Sequence, residues 1–566
     1  MAEQTITYIG ATSVLTGLGF GTEANYNSIM LYKSGIKPQP LMPDGTLIPA
    51  QTIANDLIPD ADKSLTRLER MMYSVANDVV AQSGVKPDSR LGIVFSTTKG
   101  NIAELNTSVP DDKSRVFLSV LAHNVCQKLG IGEEPVVVSN ACISGVVAVS
   151  VASRLIRAGR YDNVIVVGAD EATPFVVSGF VGFKSVSPTI CRPYDKHRDG
   201  LSMGEAAGAI LVTRHRALSR GVAVEGSAMT NDANHISGPS RTGEPLSAAI
   251  NEALSQSGLT PDDISFVNAH GTATLYNDEM ESKALTLSGL NSKPINSLKP
   301  YFGHTLGASG VIEIAMCVEQ MRNSLIFGTM GFEEIGTPHP LNVSAKHREA
   351  QTNHCLKIAS GFGGCNAAIV LSVEAKARAV EQKTPADYSI LHSCKIANGR
   401  VTVDNHTVIT TTEDFDKFVR EVYHFVNEPN MKFFKMDDLC KLGYLAAHFV
   451  LQGVDYKADE VAIVLSNRSS SLDTDLRHEQ TLAAGQPASP AIFVYTLANI
   501  VMGEICIKNH IQGETTFFIS DKYENAKIER YAQFLLTSGR YKYVIFGWCE
   551  YLNKKYNVDI QLITTK

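Results

Sequence analysis

The chain has 566 residues, 44% of them hydrophobic and 19% charged, with a formal net charge of −7. This length and composition predict a soluble globular protein with more than one domain, and the negative charge argues against a nucleic-acid-binding role. The start, MAEQTITYIG, lacks the basic-then-apolar order of a signal peptide. Ten cysteines without a C-x-x-C pair are typical of reduced cytoplasmic thiols and not of a disulfide frame or zinc site.

From residue 5 to about 374, apolar β-rich runs alternate with helical stretches. The predicted buried strands are LGIVFSTT (91–98), VVVSNA (136–141), NVIVVGAD (163–170), AGAILVT (207–213), DISFVNAHGT (263–272) and NAAIVLSVE (366–374). The predicted helices are SGVVAVSVASRLIRAG (144–159) and GASGVIEIAMCVEQMR (307–322). This alternation predicts α/β layers with largely buried sheets.

The segment EAKARAVEQKTPADYS (374–389) is polar and charged and predicts a linker, and α/β texture returns after it. We therefore predict a first region at 1–374, a linker at 375–388 and a tail at 389–566. Within the tail, AIFVYTLANIVMGEICI (491–507) is apolar but short for a membrane span and carries Glu504, so it predicts a buried helix and no membrane span.

The tail repeats the pattern of the first 170 or so residues. LGIVFSTTKGN (91–101) parallels VAIVLSNRSSS (461–471), and SRLIRAGRYDNVIVVGADE (153–171) parallels AQFLLTSGRYKYVIFGWCE (532–550). Between them, 117–139 parallels 493–520. In this register Cys142 falls opposite Tyr523, so the tail lacks a cysteine at that point.

Cys142 lies where a predicted strand turns into a predicted helix, among the small residues Ala141, Ser144 and Gly145. A helix N-terminus favours the thiolate and lowers a thiol pKa, and small neighbours let a substrate approach. A buried, space-filling cysteine is equally compatible with this stretch alone.

Two histidine motifs favour the catalytic interpretation. His270 ends an apparent strand in NAHGTATLYND (268–278), and His304 lies in a glycine-containing turn before a helix in NSLKPYFGHTLGASGVIE (296–313). A cysteine at a strand–helix junction together with two such histidines is typical of covalent acyl chemistry.

Five motifs together resemble the β-ketoacyl-ACP synthases of the thiolase superfamily, specifically the elongating Cys-His-His type. They are ACISG (141–145), CRPYDKHRDGLSMGEAAGAILV (191–212), NAHGTAT (268–274), LKPYFGHTLGASG (298–310) and GFGGCNAA (361–368). The resemblance covers residues 5–374 and implies the five-layered α-β-α-β-α thiolase fold, with the active site between two similar halves. The tail then implies an additional α/β half-thiolase domain.

The histidine pair distinguishes members within the superfamily. Thiolases lack a histidine at the place of His270, and the initiating synthases have asparagine at the place of His304. Cys365 departs from the family's usual small residue in G-F-G-G-x-N, and its glycine-rich frame indicates a lining residue and not a second catalytic cysteine.

The resemblance implies an acyltransferase that performs a decarboxylative condensation. Cys142 takes the acyl group, the backbone N–H groups of Cys142 and Phe362 hold the oxyanion, and malonyl-ACP decarboxylates beside His270 and His304. Lys299 matches the lysine that orders the histidines. The resemblance also implies a set of gating and substrate-binding residues. Phe362 is the gate, Phe180 is a wall of the acyl pocket, Thr272 and Thr274 belong to the substrate-binding set, and Glu313 is a buried structural glutamate. No metal or bound cofactor is implied, because the substrates travel on the phosphopantetheine arm of an acyl carrier protein.

Acyl carrier proteins are acidic, so the resemblance also implies a basic docking patch. Two sets of side chains offer one: Lys63, Arg67 and Arg70, and Arg154, Arg157 and Arg160 on the helix that follows Cys142. A solvated charged face is the alternative reading of both sets.

The tail resembles the N-terminal half of a synthase, and it suggests a truncated chain-length factor that pairs with the catalytic region as a pseudo-dimer. Phe493 and Tyr495 would then wall the acyl pocket. A degenerate domain that only stabilises the fold is the alternative.

Three functions differ in class. The first is a 3-oxoacyl-ACP synthase of fatty-acid, polyketide or aryl-polyene-type synthesis, for which STTKGN (96–101) and the fused tail favour a specialised pathway. The second is a non-catalytic partner that sets chain length for another synthase, against which the intact Cys142, His270 and His304 argue. His270 argues against the third, a CoA-dependent thiolase.

Overall fold

The computed structural model describes residues 2–3, 5–105, 114–373, 379–380, 386–411, 414–523 and 525–566. Most of the predicted linker, 375–378 and 381–385, lies outside the described residues. After it, the chain enters a long strand at Tyr388.

The helices fall where the sequence shows apolar residues at helical spacing. In the described part of the chain they are α1 Thr22–Met30, α2 Arg67–Ser83, α3 Leu118–Leu129, α4 Ser144–Arg157, α5 Pro174–Gly182, α6 Glu244–Ser257, α7 Leu275–Leu287, α8 Lys299–Phe302, α9 Ser309–Arg322, α10 Phe415–Val426, α11 Asp438–Leu451, α12 Leu472–Ala483, α13 Pro490–Phe493, α14 Ile500–Asn509 and α15 Asn525–Thr537.

The strands are mostly short runs of β-branched and aliphatic residues. Those of the first region are β1 Ala2–Glu3, β2 Thr7–Thr16, β3 Gly19–Phe20, β4 Lys37–Pro40, β5 Leu47–Gln51, β6 Leu91–Ser96, β7 Val136–Val138, β8 Asn163–Asp170, β9 Met203–Gly204, β10 Ala206–Thr213, β11 Val222–Asn231, β12 Phe266–Asn268, β13 Pro294–Asn296, β14 Leu325–Ile326, β15 Asn342–Val343, β16 Arg348–Glu349, β17 His354–Gly361 and β18 Cys365–Ser372. Beyond these come β19 Ala379–Val380, β20 Tyr388–Ala397, β21 Arg400–Val403, β22 His406–Thr410, β23 Val461–Asn467, β24 Thr515–Ile519, β25 Tyr543–Leu552 and β26 Lys555–Thr565.

Two sheets sandwich a central helix layer in the first region. One sheet has the order β7–β6–β8–β10–β2 and the other β11–β18–β17–β12–β13–β15. Helices α4 and α9 contact each other and strands of both sheets, while α2 covers the outside of the first sheet and α6 the outside of the second. The predicted five α-β-α-β-α layers are therefore confirmed.

The tail has the strand order of the first sheet. Strand β23 pairs in parallel with β24 on one side and β25 on the other, and β26 and then β20 extend the sheet antiparallel. The order β24–β23–β25–β26–β20 therefore matches β7–β6–β8–β10–β2 of the first sheet. Strand β20 of the tail corresponds to β2 of the first sheet. Where β2 pairs with β11 of the second sheet, β20 pairs with β21 of the hairpin β21–β22. The hairpin thus covers an edge that a complete second sheet would otherwise occupy.

Helix α15 occupies in the tail the place that α4 occupies in the first region, between a short strand and the next long one. Nearly all of α4 is buried, because a sheet packs on either side of it. Helix α15 buries one face, with Ile528, Ala532 and Leu535, and exposes Arg530 on the other. Its amphipathic sequence therefore suits a helix that packs on a sheet along one face only.

The tail joins the first region edge to edge. Strand β24 pairs antiparallel with β7, with Phe518 opposite Val138. The Asn140 side chain continues the ladder, since its Nδ2 donates to Thr515 O at 2.7 Å and its Oδ1 accepts from Phe517 N at 2.6 Å. Pairing with β24 removes the open edge that β7 would otherwise present.

A buried ion pair also crosses this junction. Arg154 of α4 contacts Glu514 at 2.6 Å, and their side chains are 12% and 1% exposed. Tyr531 donates to the same carboxylate at 2.8 Å. A buried pair of this kind is costly to break from one side, because the remaining charge stays buried without a counter-charge.

Replacing Glu514 with glutamine is therefore expected to lower the free energy of unfolding by about 3–5 kcal/mol. Arg160→Gln is the matched control, because Arg160 pairs with Glu133 with its side chain 54% exposed, and such pairs contribute about 1 kcal/mol or less. Denaturant unfolding of both variants measures the difference. Equal losses in the two variants would contradict the role given to the Arg154–Glu514 pair.

Candidate active site

Cys142 lies at the junction that the sequence indicated. Strand β7 ends at Val138, a single 3₁₀ turn covers Ala141–Ile143, and α4 begins at Ser144. Ala141 has a φ of +47°, a left-handed conformation that L-residues seldom adopt. The tight turn places the thiol at the N-terminus of the buried central helix.

A close crossing of the two central helices brings His304 to Cys142. A Cβ on Gly145 of α4 would lie 2.9 Å from Cα of Gly310 in α9, so the helices meet where neither has a side chain. Each helix is preceded by a left-handed residue, Ala141 in one case and Leu306 in the other. The two helix N-termini, with their loops, therefore face one another across the site.

The His304 backbone and ring are both held. Its N–H donates to Ser202 O at 2.7 Å, and its carbonyl accepts from Gly204 N at 3.1 Å. Its Nε2 lies 3.1 Å from Cys142 Sγ, and its Nδ1 lies 3.3 Å from Ser309 Oγ. The imidazole can accept the thiol proton at Nε2 while Nδ1–H donates to Ser309.

His270 approaches from the second sheet, two residues after β12. The backbone N–H groups of His270 and Gly271 each donate to the Glu281 carboxylate at 2.8 Å, and Tyr194 Oη donates to it at 2.9 Å. The rings of His270 and His304 are nearly perpendicular, with centroids 5.1 Å apart. One donor atom each of Cys142, His270 and His304 lies within 4.8 Å of the others.

Lys299 belongs to a buried charge cluster behind the histidines. Its Nζ lies 2.5 Å from Glu313 Oε1, and Nζ of Lys357 lies 2.6 Å from Glu313 Oε2. Burial by itself would raise the pKa of Glu313, but the two ammonium groups outweigh it and hold that pKa below its usual value. Sequence reasoning missed Lys357, whose partner Glu313 is more than forty residues away, and Glu281, which lies on the helix that follows the His270 motif.

Burial sets the protonation of the three central groups. It lowers the pKa of His270 and of His304 well below 6.5, and Lys299 and Lys357 lower both further. Both imidazoles are therefore neutral at physiological pH, and each carries one N–H.

Burial raises the pKa of the Cys142 thiol to about 12, although Lys299 and the backbone N–H groups of Phe362 and Cys142 act in the opposite direction. The expectation of a lowered thiol pKa at the helix N-terminus is therefore wrong for this closed state.

A small cavity adjoins Cys142. Its volume is about 20 Å³, which is room for about one water molecule. It is lined by Thr98, Lys99, Ala141, Cys142, Val176, Phe180, Leu306, Phe362, Phe493, Thr496 and Leu497. Three of these residues, Phe493, Thr496 and Leu497, come from the tail.

Aromatic rings close the cavity. Phe180 stacks on Phe362 with centroids 5.8 Å apart and contacts Phe493 edge-on at 5.5 Å. Tyr495 does not line the cavity; its hydroxyl donates to Glu504 at 2.7 Å in a separate core, so the expectation for Tyr495 is wrong. An acyl chain longer than the cavity needs these rings to move.

The tail also contacts the loop that carries Phe362. Asn499 Nδ2 donates to Phe362 O at 2.8 Å. Within the first region, Gly363 N also donates to Ile236 O at 2.6 Å, which holds the same loop. Cys365 lies beneath the loop with its Sγ 3.3 Å from Phe362 O, and it is absent from the cavity lining that the sequence predicted for it.

A second buried ion pair bounds the cavity at Lys99. Its Nζ lies 2.6 Å from Asp475 Oδ1, donates to the carbonyl of Thr496, and lies 3.4 Å from Ser471 Oγ. Lys99 comes from STTKGN, whereas Asp475, Thr496 and Ser471 all belong to the tail. Burial raises the pKa of Asp475 to about 6, while Lys99 acts to lower it.

The remaining predicted site residues lie outside the cavity. Thr272 and Thr274 bond each other through their hydroxyls at 2.9 Å, beside the exposed side chains of Leu275 and Tyr276. Glu313 is fully occupied by the two lysines, so it cannot contact a substrate in this arrangement.

Most of the basic side chains expected to form a docking patch have partners within the chain. Arg67 binds Glu171 and Glu205 at 2.7 and 2.6 Å, and Arg154 binds Glu514. Arg157 donates to Val224 O at 2.7 Å, Arg160 pairs with Glu133, and Arg70 is half-buried. Lys63 is exposed. Arg154 is therefore part of the junction with the tail, whereas Lys63 and Arg160 remain at the surface.

Among the described helices, none is by itself long and apolar enough to cross a membrane. Pro490–Thr496 and Ile500–Asn509 meet the length and composition test only as a pair bent by 104°. Apolar side chains of this pair, including Val501 and Ile505, are buried within the fold, as predicted for 491–507. The single helix predicted there is wrong, because the segment forms two helices with a sharp bend between them.

Comparison with known proteins identifies the family. Residues 53–217 match the model of the beta-ketoacyl synthase N-terminal domain, and residues 222–333 match that of its C-terminal domain. The chain is 31% identical over 360 residues to the tetracenomycin polyketide synthase ketoacyl synthase alpha subunit of Streptomyces glaucescens, across 56% of this chain and 84% of that protein.

Solved structures of similar proteins agree with the fold described above. A ketosynthase in complex with its chain length factor from Xenorhabdus doucetiae is similar with a TM-score of 0.58 and 25% identity, over 65% of this chain and 98% of that one. The PfaC keto synthase–chain length factor shares the fold over 99% of this chain and 78% of that one, with a TM-score of 0.77 and 13% identity. The thiolase-like fold is thus confirmed, and the chain belongs to the β-ketoacyl synthase family of condensing acyltransferases.

Proposed function

We propose that this chain is an elongating 3-oxoacyl-[acyl-carrier-protein] synthase that carries its acyl group on Cys142. One observation carries the proposal: Cys142 Sγ lies 3.1 Å from His304 Nε2, with His270 beside both, next to a small and largely apolar cavity. A thiol paired with a neutral imidazole is the arrangement that activates a cysteine for acyl transfer.

Acyl loading uses His304 as the base. Cys142 Sγ attacks the thioester carbonyl while its proton passes to His304 Nε2, and the backbone N–H groups of Cys142 and Phe362 point toward the reacting sulfur. These two donors support the oxyanion of the tetrahedral intermediate. The pantetheine sulfur then leaves and takes the proton from His304. The raised thiol pKa makes this proton transfer necessary.

Condensation uses both histidines as donors. The bond between the malonyl carboxylate and its α-carbon breaks, carbon dioxide leaves, and the enolate oxygen accepts hydrogen bonds from the N–H groups of His270 and His304. For this step the His304 proton lies on Nε2 and Nδ1 accepts from the Ser309 hydroxyl, which is the opposite tautomer to the one used in loading. The α-carbon then attacks the carbonyl carbon of the Cys142 thioester, Sγ departs as the thiolate, and the thiolate takes up one proton from water to restore the thiol. The product is a 3-oxoacyl thioester two carbons longer. The neutral state of both imidazoles at physiological pH suits this donor role.

We assign the catalytic region to residues 1–374, the linker to 375–388 and the tail to 389–566. The tail takes the place of the second subunit of a synthase dimer, as a partial relative of a chain-length factor. Four observations support this: the shared strand order, the β7–β24 pairing, Tyr523 at the place of the nucleophile, and three tail residues in the cavity wall. The structural neighbour in which a ketosynthase is bound to its chain length factor supports it further.

The same neighbours support a polyketide-type pathway with substrates on a carrier protein. One polyketide relative is a ketoacyl synthase alpha subunit. In this chain the tail would set product length, since Phe493 forms one wall of the cavity and the Lys99–Asp475 pair bounds it. An acyl chain that grows past Lys99 must separate a buried ion pair, which is costly.

Replacing Phe493 with alanine is expected to lengthen the products. The Phe493 ring packs directly on Gly179 of α5, so its loss opens space that a longer acyl chain can fill. Tyr495→Phe is the matched control, because Tyr495 lies two residues away and outside the cavity. Mass spectrometry of the acyl-carrier products measures the length distribution. An unchanged distribution in Phe493→Ala, or an equal shift in the control, contradicts a length-setting role for the tail.

Reconstitution tests the function itself. The purified chain is incubated with acyl-ACPs of graded length and malonyl-ACP, and the carrier-bound products are weighed by mass spectrometry. We expect 3-oxoacyl-ACP two carbons longer than the accepted primer, with release of one carbon dioxide. Absence of any elongated product across the primer series, with acyl-ACP and malonyl-ACP intact, contradicts the proposal.

A further inference from the structure

Lys357 is a lysine in an otherwise apolar buried strand. It lies in β17 between Leu356 and Ile358, and it is 0% exposed. A lysine is almost never fully buried unless it is paired, because desolvation of an ammonium group is costly. A substitution by a hydrophobic residue would fit the strand pattern better, so the charge itself requires a reason.

The contacts of Lys357 connect it to His270. Its Nζ lies 2.6 Å from Glu313 Oε2 and donates to Ala269 O at 3.2 Å. Ala269 directly precedes His270, and in the parallel pairing of β12 with β17 Asn268 lies opposite Lys357. From the other side of the loop, Glu281 holds the His270 N–H. The His270 backbone is thus fixed on both sides.

Lys357 also changes the charge behind the histidines. Glu313 alone would neutralise Lys299, with which it makes a 2.5 Å contact. With Lys357 on the second carboxylate oxygen, two basic side chains share one carboxylate. A buried positive charge stabilises negative charge that develops nearby, because little water screens it.

We propose that Lys357 is a positioning residue for decarboxylation, which fixes His270 through the Ala269 carbonyl and places a second basic side chain on Glu313 behind the two histidines. The inference rests on the function proposed above. Lys357 reaches the substrate only through Ala269, Glu313 and the histidines, so it is not itself a catalytic residue. Loading of Cys142 uses His304 and the two backbone donors, and it depends less on Lys357.

The pH profile separates this role from a purely structural one. Several titratable or charged groups surround the histidines: Cys142 before α4, Asp170 on β8, Lys299 on α8, Glu313 on α9, Asp278 and Glu281 on α7, and Lys357 itself on β17. Loss of Lys357 removes one positive neighbour, so protonation of the imidazoles becomes easier. The pH below which the decarboxylation rate falls (the acid limb of the pH profile) should therefore be higher in Lys357→Met than in the wild-type chain.

The test compares two half-reactions in the full-length chain. Release of carbon dioxide from malonyl-ACP is measured together with acylation of Cys142 by acyl-ACP, for the wild-type chain and for Lys357→Met. We expect decarboxylation to fall about 10- to 100-fold, the range usual for a partner that orients a reacting group, with a smaller effect on loading. The exposed Lys346→Met variant is the matched control and should resemble the wild type.

Two further measurements keep the result decisive. Thermal unfolding shows whether Lys357→Met is folded. If Lys357→Met does not fold, Lys357→Gln is used in its place, because glutamine keeps a donor for Ala269 O but lacks the charge. Equal losses in both half-reactions, or an unmoved acid limb, overturn the role of Lys357. A wild-type chain that releases no carbon dioxide from malonyl-ACP overturns instead the function proposed above.

Discussion

Replacing Cys142 with alanine is expected to lower the rate of condensation by about 10⁶-fold, the loss typical of removing a nucleophile. The acyl group would have no sulfur to occupy, since the other nearby thiol, Cys365, is turned toward the Phe362 and Asn140 carbonyls. Decarboxylation of malonyl-ACP should persist in this variant, because that step uses the imidazole donors and not the thiol.

Cys365→Ser is the matched control for this result. It changes a buried cysteine next to the site but outside the cavity lining, so acyl loading should survive. Peptide mapping after incubation with acyl-ACP measures both variants. Acylation that persists in Cys142→Ala, or disappears in Cys365→Ser, contradicts the assignment of the nucleophile.

The two histidines are expected to differ in their effects. Either His270→Ala or His304→Ala should reduce decarboxylation by about 10²–10³-fold, the loss typical of one oxyanion donor. His304→Ala should also slow acyl loading, because His304 Nε2 is the atom within 3.1 Å of Cys142 Sγ. His270→Ala should leave loading nearly intact, since its ring bonds neither the thiol nor the loading oxyanion donors.

Single-turnover measurements separate the two steps. Loading is followed by the mass of the acyl-enzyme, and decarboxylation by release of labelled carbon dioxide from malonyl-ACP. Wild-type decarboxylation in both variants contradicts the enolate role. Equal slowing of loading in both variants contradicts the assignment of His304 as the base.

The layered architecture could be predicted because its sequence signals are local. The runs that became β6, β8 and β10 are continuous and apolar, as strands buried on both faces are, and the predicted helices at 144–159 and 307–322 are α4 and α9. The pairing of β7 with β24 could be anticipated only because the repeat kept the spacing of its elements. The hairpin that closes the tail sheet had no counterpart in the repeat and was not predicted.

The site was predicted less completely, since its supporting charges have partners far away in the sequence. Lys357 bonds Glu313, and Lys99 bonds Asp475 more than three hundred residues later. Phe493 and Tyr495 belong to different cores, because Phe493 ends α13 and Tyr495 lies two residues later on the 3₁₀ turn that follows, which places it on another face. The thiol pKa of Cys142 depends on burial by both sheets and the tail, which the helix N-terminus alone does not reveal.

The central claim is that Cys142 carries an acyl group that malonyl-ACP then consumes. Its most direct test is mass spectrometry of the intact protein in two stages. After incubation with acyl-ACP, we expect the mass of the chain to rise by one acyl group located at Cys142. After addition of malonyl-ACP, we expect this mass to fall back as 3-oxoacyl-ACP forms. An acyl group at another residue, or one that malonyl-ACP leaves in place, would contradict the account.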